Sequence, residues 1–114
     1  MQIDADAFGN VAVIALAGRL TVNETPGLLK QAVEDSIGRG ATEVVLDLSG
    51  VNYIDSTRLG ELIAAHVTAS RLGGRLKLAC TPPRIVQLLR ISGLDGVFER
   101  FDSIDDATAS LQAT

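Results

Sequence analysis

A carboxylate and two hydroxyls stand together at Asp55-Ser56-Thr57, immediately ahead of a run whose apolar residues recur at helical spacing. At the start of a helix such groups can do one of two things. They can cap it, because a side-chain oxygen there accepts one of the first-turn N–H groups that the helix leaves unpartnered. They can also offer a hydroxyl to a phosphoryl donor, since the same N–H groups and the positive end of the helix dipole favour an anion at that place. If Asp55 is the cap, Ser56 Oγ points outward. If Ser56 caps, its oxygen is occupied and must be released before it attacks a nucleotide phosphate. The expectation is that Asp55 caps.

Little else in the chain is equipped for chemistry. With one His and one Cys, a zinc site of the usual composition and an internal disulfide are both excluded. Ser-His or Cys-His catalysis would need residues from separate elements with nothing to link them. His66 falls within an apolar helical stripe and reads as a core or interface histidine, and Cys80, ending a core strand, reads as a buried thiol. Asp102, Asp105 and Asp106 lack the Gly and terminal Glu of a calcium loop and read as helix-start charges. The Gly pairs lack the strand-loop-helix context and Lys of a phosphate-binding loop. No enzyme activity, cofactor or metal is expected.

The elements that position Ser56 follow from periodicity. Residues 44–48, Val-Val-Leu-Asp-Leu, have the composition of a central parallel strand, and Ser49-Gly50-Val51-Asn52 is expected to end it in a turn. A helix starts at the hydroxyls, carries the stripe Leu59, Leu62, Ile63 and Val67, and stops at Gly73-Gly74 after Arg71. Upstream, residues 3–8 and 11–16 around Gly9-Asn10 form an opening hairpin. Thr25-Pro26 opens a first helix with the stripe Leu29, Ala32, Val33 and Ile37, closed by Gly38-Arg39-Gly40. Downstream come a core strand at 76–80, then a helix begun by Thr81-Pro82-Pro83 with the stripe Ile85, Leu88, Leu89 and Ser92. An edge strand at 97–101 and a last helix over 104–111, capped by Asp102-Ser103, complete the order. That order, β, β, α, β, α, β, α, β, α, with right-handed crossovers, predicts an α/β fold with a four- to five-stranded mixed sheet and helices mainly on one face. No linker or repeat divides residues 1–114, so one domain is expected.

Composition narrows the partners. Net charge is −4 with the Lys and Arg residues scattered singly, which argues against nucleic acid and anionic membrane surfaces. Aromatic residues make up only 4% with no Trp, too few for a base-stacking platform or a carbohydrate cleft. No apolar run approaches membrane-spanning length and the N-terminal residues carry no leader pattern, so a cytoplasmic protein is expected. The glycosylation triplet at Asn23-Glu24-Thr25 is then a chance match.

At this point the residues resemble a known family. From Ile3 to Leu111 the chain is similar to a STAS domain, the fold of bacterial anti-sigma factor antagonists. The most specific resemblance is Asp47-Leu48-Ser49-Gly50-Val51-Asn52-Tyr53-Ile54-Asp55-Ser56-Thr57. Gly18-Arg19-Leu20, Gly73-Gly74-Arg75-Leu76 and Ser92-Gly93-Leu94 ahead of Val97-Phe98 support it. The resemblance implies that Ser56 accepts phosphate from a partner that is both anti-sigma factor and serine kinase. It also implies that the unphosphorylated form captures that partner, regulating sigma-factor-dependent transcription. The alternative is a constitutive STAS scaffold or subunit of a transporter or sensory complex, without phosphorylation.

Two positions near the switch depart from the family pattern, which usually has Gly where this chain has Arg58 and often Asp where it has Thr21. Arg58 is expected on the flank of the helix, bordering the partner contact and able to pair with a phosphate on Ser56. Losing a carboxylate at Thr21 removes a like charge that would repel the same phosphate. Opposite the apolar stripe, Thr57, Glu61, Ala64, Ala65 and Thr68 form a sparsely charged face suited to close docking; alanine's helix preference explains part of it equally well. With Asn23 and Tyr53, that face is the expected partner-binding surface of a monomer or weak dimer.

Overall fold

The computed structural model describes residues 2–20 and 27–112. Strand β1 (Gln2–Phe8) turns at Gly9-Asn10 into β2 (Val11–Leu20), and α1 (Leu28–Gly38) leads to β3 (Glu43–Ile54). Next come α2 (Ser56–Arg71), β4 (Arg75–Ala79), α3 (Pro83–Ile91), the two-residue β5 (Arg100–Phe101) and α4 (Ile104–Gln112). The five strands pair in chain order, β1 antiparallel to β2 and all later neighbours parallel. The expected order of elements and the mixed sheet are therefore what the chain forms.

Alternation along β2 and β3 builds a core on each side of the sheet. Ile14, Leu16, Val44, Leu46 and Leu48 face one side, where Leu29 and Val33 of α1, Leu59 and Leu62 of α2 and Ile85 and Leu89 of α3 close over them. Val11, Val45 and Ala79 face the other, covered by Ala107 and Ile104 of α4. Three helices on one face and one on the other is the arrangement that right-handed crossovers between parallel strands impose, with α4 free to cross behind. Lys77 points to the α4 side, where burial is tolerated because its Nζ lies 2.9 Å from Glu99 Oε2 and over the Phe101 ring. Ser103 Oγ accepts the Asp106 N–H at 3.0 Å and so caps α4, as its place in the sequence suggests.

Three features differ from expectation. Ser49-Gly50-Val51-Asn52 does not end β3; the strand continues through it to Ile54. The register against β2 slips between Ala15 and Ala17 and again between Gly18 and Arg19, each slip leaving an extra residue on β3. These are bulges, and the residues that form turns serve them equally well. Gly50 has a packing reason to be glycine, since a Cβ there would lie 3.0 Å from Ala17 Cβ and 3.1 Å from Leu16 O. The edge strand is shorter than the 97–101 expected, because 97–99 do not pair as strand. Helix α1 begins at Leu28 behind Gly27, whose φ of 81° only glycine adopts easily; the expected start at Thr25-Pro26 lies outside the described residues.

Candidate functional site

The two bulges shift the buried positions of β3 from alternate residues to Val51 and Ile54, which keeps the end of the strand on the core while turning it toward α2. The chain then reverses into the helix at Asp55, whose carboxylate Oδ1 accepts the Arg58 N–H at 2.8 Å. Asp55 is the cap. Ser56 is thereby the first helical residue, exposed, with Thr57 exposed beside it. The Ser56 hydroxyl stands at the positive end of a 16-residue helix whose first turn contains no acidic residue.

Arg58 is not on an accessible flank. It is 4% exposed and forms an ion pair with Glu61, three residues on and 11% exposed. The other Glu61 oxygen, Oε1, accepts the Leu29 N–H of α1 at 3.0 Å. Helix α1 lacks a side-chain cap of its own, so Glu61 caps it from the neighbouring helix and Arg58 neutralises the cap. The expected role of Arg58 at an open docking edge is corrected accordingly: its spacing to Glu61 suits an i,i+3 pair, and that pair takes it inward. Glu61 is likewise turned into the α1–α2 contact rather than outward.

The docking face is corrected in phase. Ala65 is fully buried and Thr68 nearly so, whereas Val67, expected in the buried stripe, is 55% exposed. Alanine at 65 and 69 lets the backbone of α2 approach its neighbours closely, so the buried stripe runs Leu59, Leu62, Ala65, Ala69. What α2 shows outward is Ser56, Thr57, Gly60, Ala64 and Val67, with Ser70 and Arg71 at its C-terminal end. Ala64 thus stays on the surface, and Tyr53 is 44% exposed at the end of β3 with the Arg19 guanidinium 4.5 Å above its ring centroid. Thr21 and Asn23 lie outside the described residues.

Below Tyr53 a groove opens between the end of β3 and α3, lined by Asn52, Tyr53, Ile54, Arg84, Ile85 and Leu88. Periodicity gives no warning of it, since Arg19 of β2 and Arg84 of α3 belong to elements distant in sequence, and nothing in Gly18-Arg19-Leu20 points to Arg84. Elsewhere, His66 lies edge-on to Phe98 with centroids 5.3 Å apart. Cys80, partly exposed, adopts a left-handed φ of 56°, and burial followed by the Asp47 carboxylate pushes its thiol pKa up. Among the described residues no group of three or more His, Cys, Asp or Glu is placed to hold a metal ion, and no helix is long and apolar enough to cross a membrane.

A mixed sheet whose bulged central strand delivers an outward serine to a capped helix start is the frame of a STAS domain. The chain belongs to that family: the family model described as "Mlab, STAS domain" matches residues 3–100. It is 25% identical over 113 residues to the anti-sigma F factor antagonist of Paenibacillus polymyxa, covering 98% of this chain and 96% of that one. In structure it is similar to an anti-sigma factor antagonist from Mycobacterium paratuberculosis, with TM-score 0.82, 22% identity, and 97% and 93% of the two chains covered. The same fold recurs in the murine Solute Carrier 26 family member A9 anion transporter, at TM-score 0.82 and 18% identity, over 96% of this chain but 19% of the transporter.

Proposed function

We propose that this chain is an anti-sigma factor antagonist. It is a binding module without catalysis of its own, which holds an anti-sigma factor that is also a serine kinase and is released when that kinase phosphorylates Ser56. The observation that carries the reading is the division of labour at the corner, Asp55 capping α2 while Ser56 stands exposed at its first position. The reaction needs nothing further from this chain. Ser56 Oγ bonds to the γ-phosphorus of ATP, the bond to the bridging oxygen breaks, ADP leaves and the kinase takes the proton. The phosphate adds about −1.5 to −2 charges in the middle of the contact, where repulsion and desolvation oppose rebinding. The curated relative named as an antagonist, matched nearly end to end, supports the same role. A second reading, a constitutive scaffold or subunit without phosphorylation, draws on the use of this fold as a small part of the anion transporter.

Incubation with a candidate kinase and ATP, followed by intact-mass and fragmentation analysis, tests the proposal. Phosphate on Ser56 and weaker partner binding by Ser56→Asp, about 1–3 kcal/mol at unchanged melting temperature, are expected. Phosphate on Thr57 alone, or on neither residue, overturns it. A small ATPase of the histidine-kinase-like type encoded beside this chain, binding it only when Ser56 is unmodified, favours the switch over the scaffold.

A further inference from the structure

The groove between β3 and α3 has an apolar floor and one cation in its lining, with a second cation stacked on its tyrosine. Ile54, Ile85 and Leu88 form the floor; Arg84 lines one side, and Tyr53, carrying Arg19 across its ring, lines another. Among the described residues Arg19 and Arg84, like Arg39, Arg71 and Arg75, have no carboxylate partner, whereas Lys30, Arg58, Lys77, Arg90 and Arg100 do; Arg19 and Arg84 are the two that meet at one groove. Arg84 stands in the first turn of α3, where the helix dipole disfavours a cation and the turn contains no acid to offset it. The chain as a whole is acidic, so these two guanidiniums are a local feature against the prevailing charge. A guanidinium stacked on tyrosine keeps its edge N–H groups available for a carboxylate.

We infer that this groove is the specificity pocket for an acidic-apolar segment of the protein partner, one that lays aliphatic side chains on Ile54, Ile85 and Leu88 and carboxylates on Arg19 and Arg84. The inference rests on the proposed antagonist role and deepens it by giving the partner's chemistry. Ile54 is two residues from Ser56, so a phosphate on Ser56 places negative charge beside the path of that segment and repels it. Charge pairing at a partly exposed rim contributes specificity and association rate more than raw affinity, while the apolar floor supplies the burial.

The test uses the full chain and a synthetic probe, so it does not require the cognate partner. A ten-residue peptide of alternating Leu and Glu, and the same peptide with Gln for Glu, are titrated while backbone amide signals are followed by NMR. The expected result is saturable shifts at Asn52–Ile54 and Arg84–Leu88 with the Glu peptide, at least tenfold weaker for the Gln peptide. Arg84→Gln and Arg19→Gln should each weaken the Glu peptide several-fold, and Ser56→Asp should do the same. Equal affinity for both peptides, shifts mapping to another surface, or no effect of either arginine variant overturns the groove assignment. In that case phosphorylation of Ser56 by a kinase would still stand. Tighter binding of a deca-thymidine oligonucleotide than of the Glu peptide overturns the partner class. Peptide binding indifferent to Ser56→Asp overturns its coupling to the switch.

Discussion

Replacing Arg58 with alanine should destabilise the fold far more than a surface arginine would. The side chain is 4% exposed, and its loss leaves the Glu61 carboxylate, 11% exposed, with the Leu29 N–H as its remaining partner named above. Removing one member of a buried ion pair costs about 3–5 kcal/mol, mostly because the survivor is an uncompensated charge. Set against a total stability of about 5–15 kcal/mol, that is a large share. At about 3–6 °C per kcal/mol for a domain of this size, the melting temperature should fall by roughly 10–30 °C. The double variant Arg58→Met/Glu61→Gln separates charge from packing. Met fills the space of the arginine stem, and the Gln carbonyl still accepts from Leu29, so most of the loss should return. Differential scanning calorimetry of wild type, Arg58→Met, Glu61→Gln and the double variant gives the coupling between the two positions, with Arg58→Ala measured beside them. If Arg58→Ala melts within about 3 °C of wild type, at most about 1 kcal/mol, the pair is worth no more than a solvent-exposed one and the trans-cap argument fails. Arg58→Gly should be worse by about a further 1 kcal/mol, the cost of glycine in a helix interior.

Asp55→Ala removes the carboxylate that accepts the Arg58 N–H, and should cost about 1 kcal/mol by denaturant titration while Asp55→Asn costs less. Gly50→Ala brings a methyl to 3.0 Å from Ala17 Cβ and should cost about 1–3 kcal/mol, with Gly50→Ala/Ala17→Gly recovering part of it. Burial and Asp47 push the Cys80 thiol up, so iodoacetamide should alkylate it more slowly near pH 8 than it alkylates the unfolded chain. Because the fold holds that proton more tightly, the associated stabilisation is full below the unfolded thiol pKa and is lost as pH rises through the folded value. Chemical denaturation at neutral and alkaline pH should show this, and Cys80→Ser should flatten the difference.

The sequence conveys the order of elements because each one switches cleanly between a period of two and a period near 3.6, with Gly or Pro at the joints. It conveys the corner for a different reason: Asp, Ser and Thr before an apolar helix leave few roles open, and the choice of Asp55 as cap follows from the side-chain oxygen reaching the N–H three residues on. The bulges of β3 were not legible, since Ser-Gly-Val-Asn has the composition of a turn and only the register against β2 decides otherwise. The phase of α2 went astray on alanine. Counting Ala65 and Thr68 as surface residues and Val67 as core follows hydropathy, but where a helix approaches its neighbours closely, small side chains fill the contact and the β-branched valine is left outside. The destination of Arg58 depends on a carboxylate partner that also reaches another helix, information that no local pattern holds.

That destination decides how a phosphate on Ser56 would act. An arginine two residues from the acceptor suggests a clamp, in which the phosphate recruits the guanidinium and the modified state gains order. Magnitudes argue against it. A charge-assisted hydrogen bond at an exposed serine phosphate is worth about 1.5–3 kcal/mol, whereas drawing Arg58 away from Glu61 abandons a buried carboxylate at about 3–5 kcal/mol and weakens the cap on α1. The guanidinium, paired with Glu61 in the unmodified chain, would therefore stay there, and a phosphate would remain at the surface with the first-turn N–H groups of α2 for company. A switch of this kind leaves the fold nearly unchanged and acts by what it denies the partner: an uncharged serine at the helix start and, beside it, an approach to Arg19 and Arg84 unobstructed by negative charge. Phosphorylated and unphosphorylated chains should accordingly give amide spectra that differ around the helix start and the groove while Leu29 and Glu61 keep their shifts. A displaced Leu29 amide signal on phosphorylation would show that Arg58 has moved and that the clamp operates.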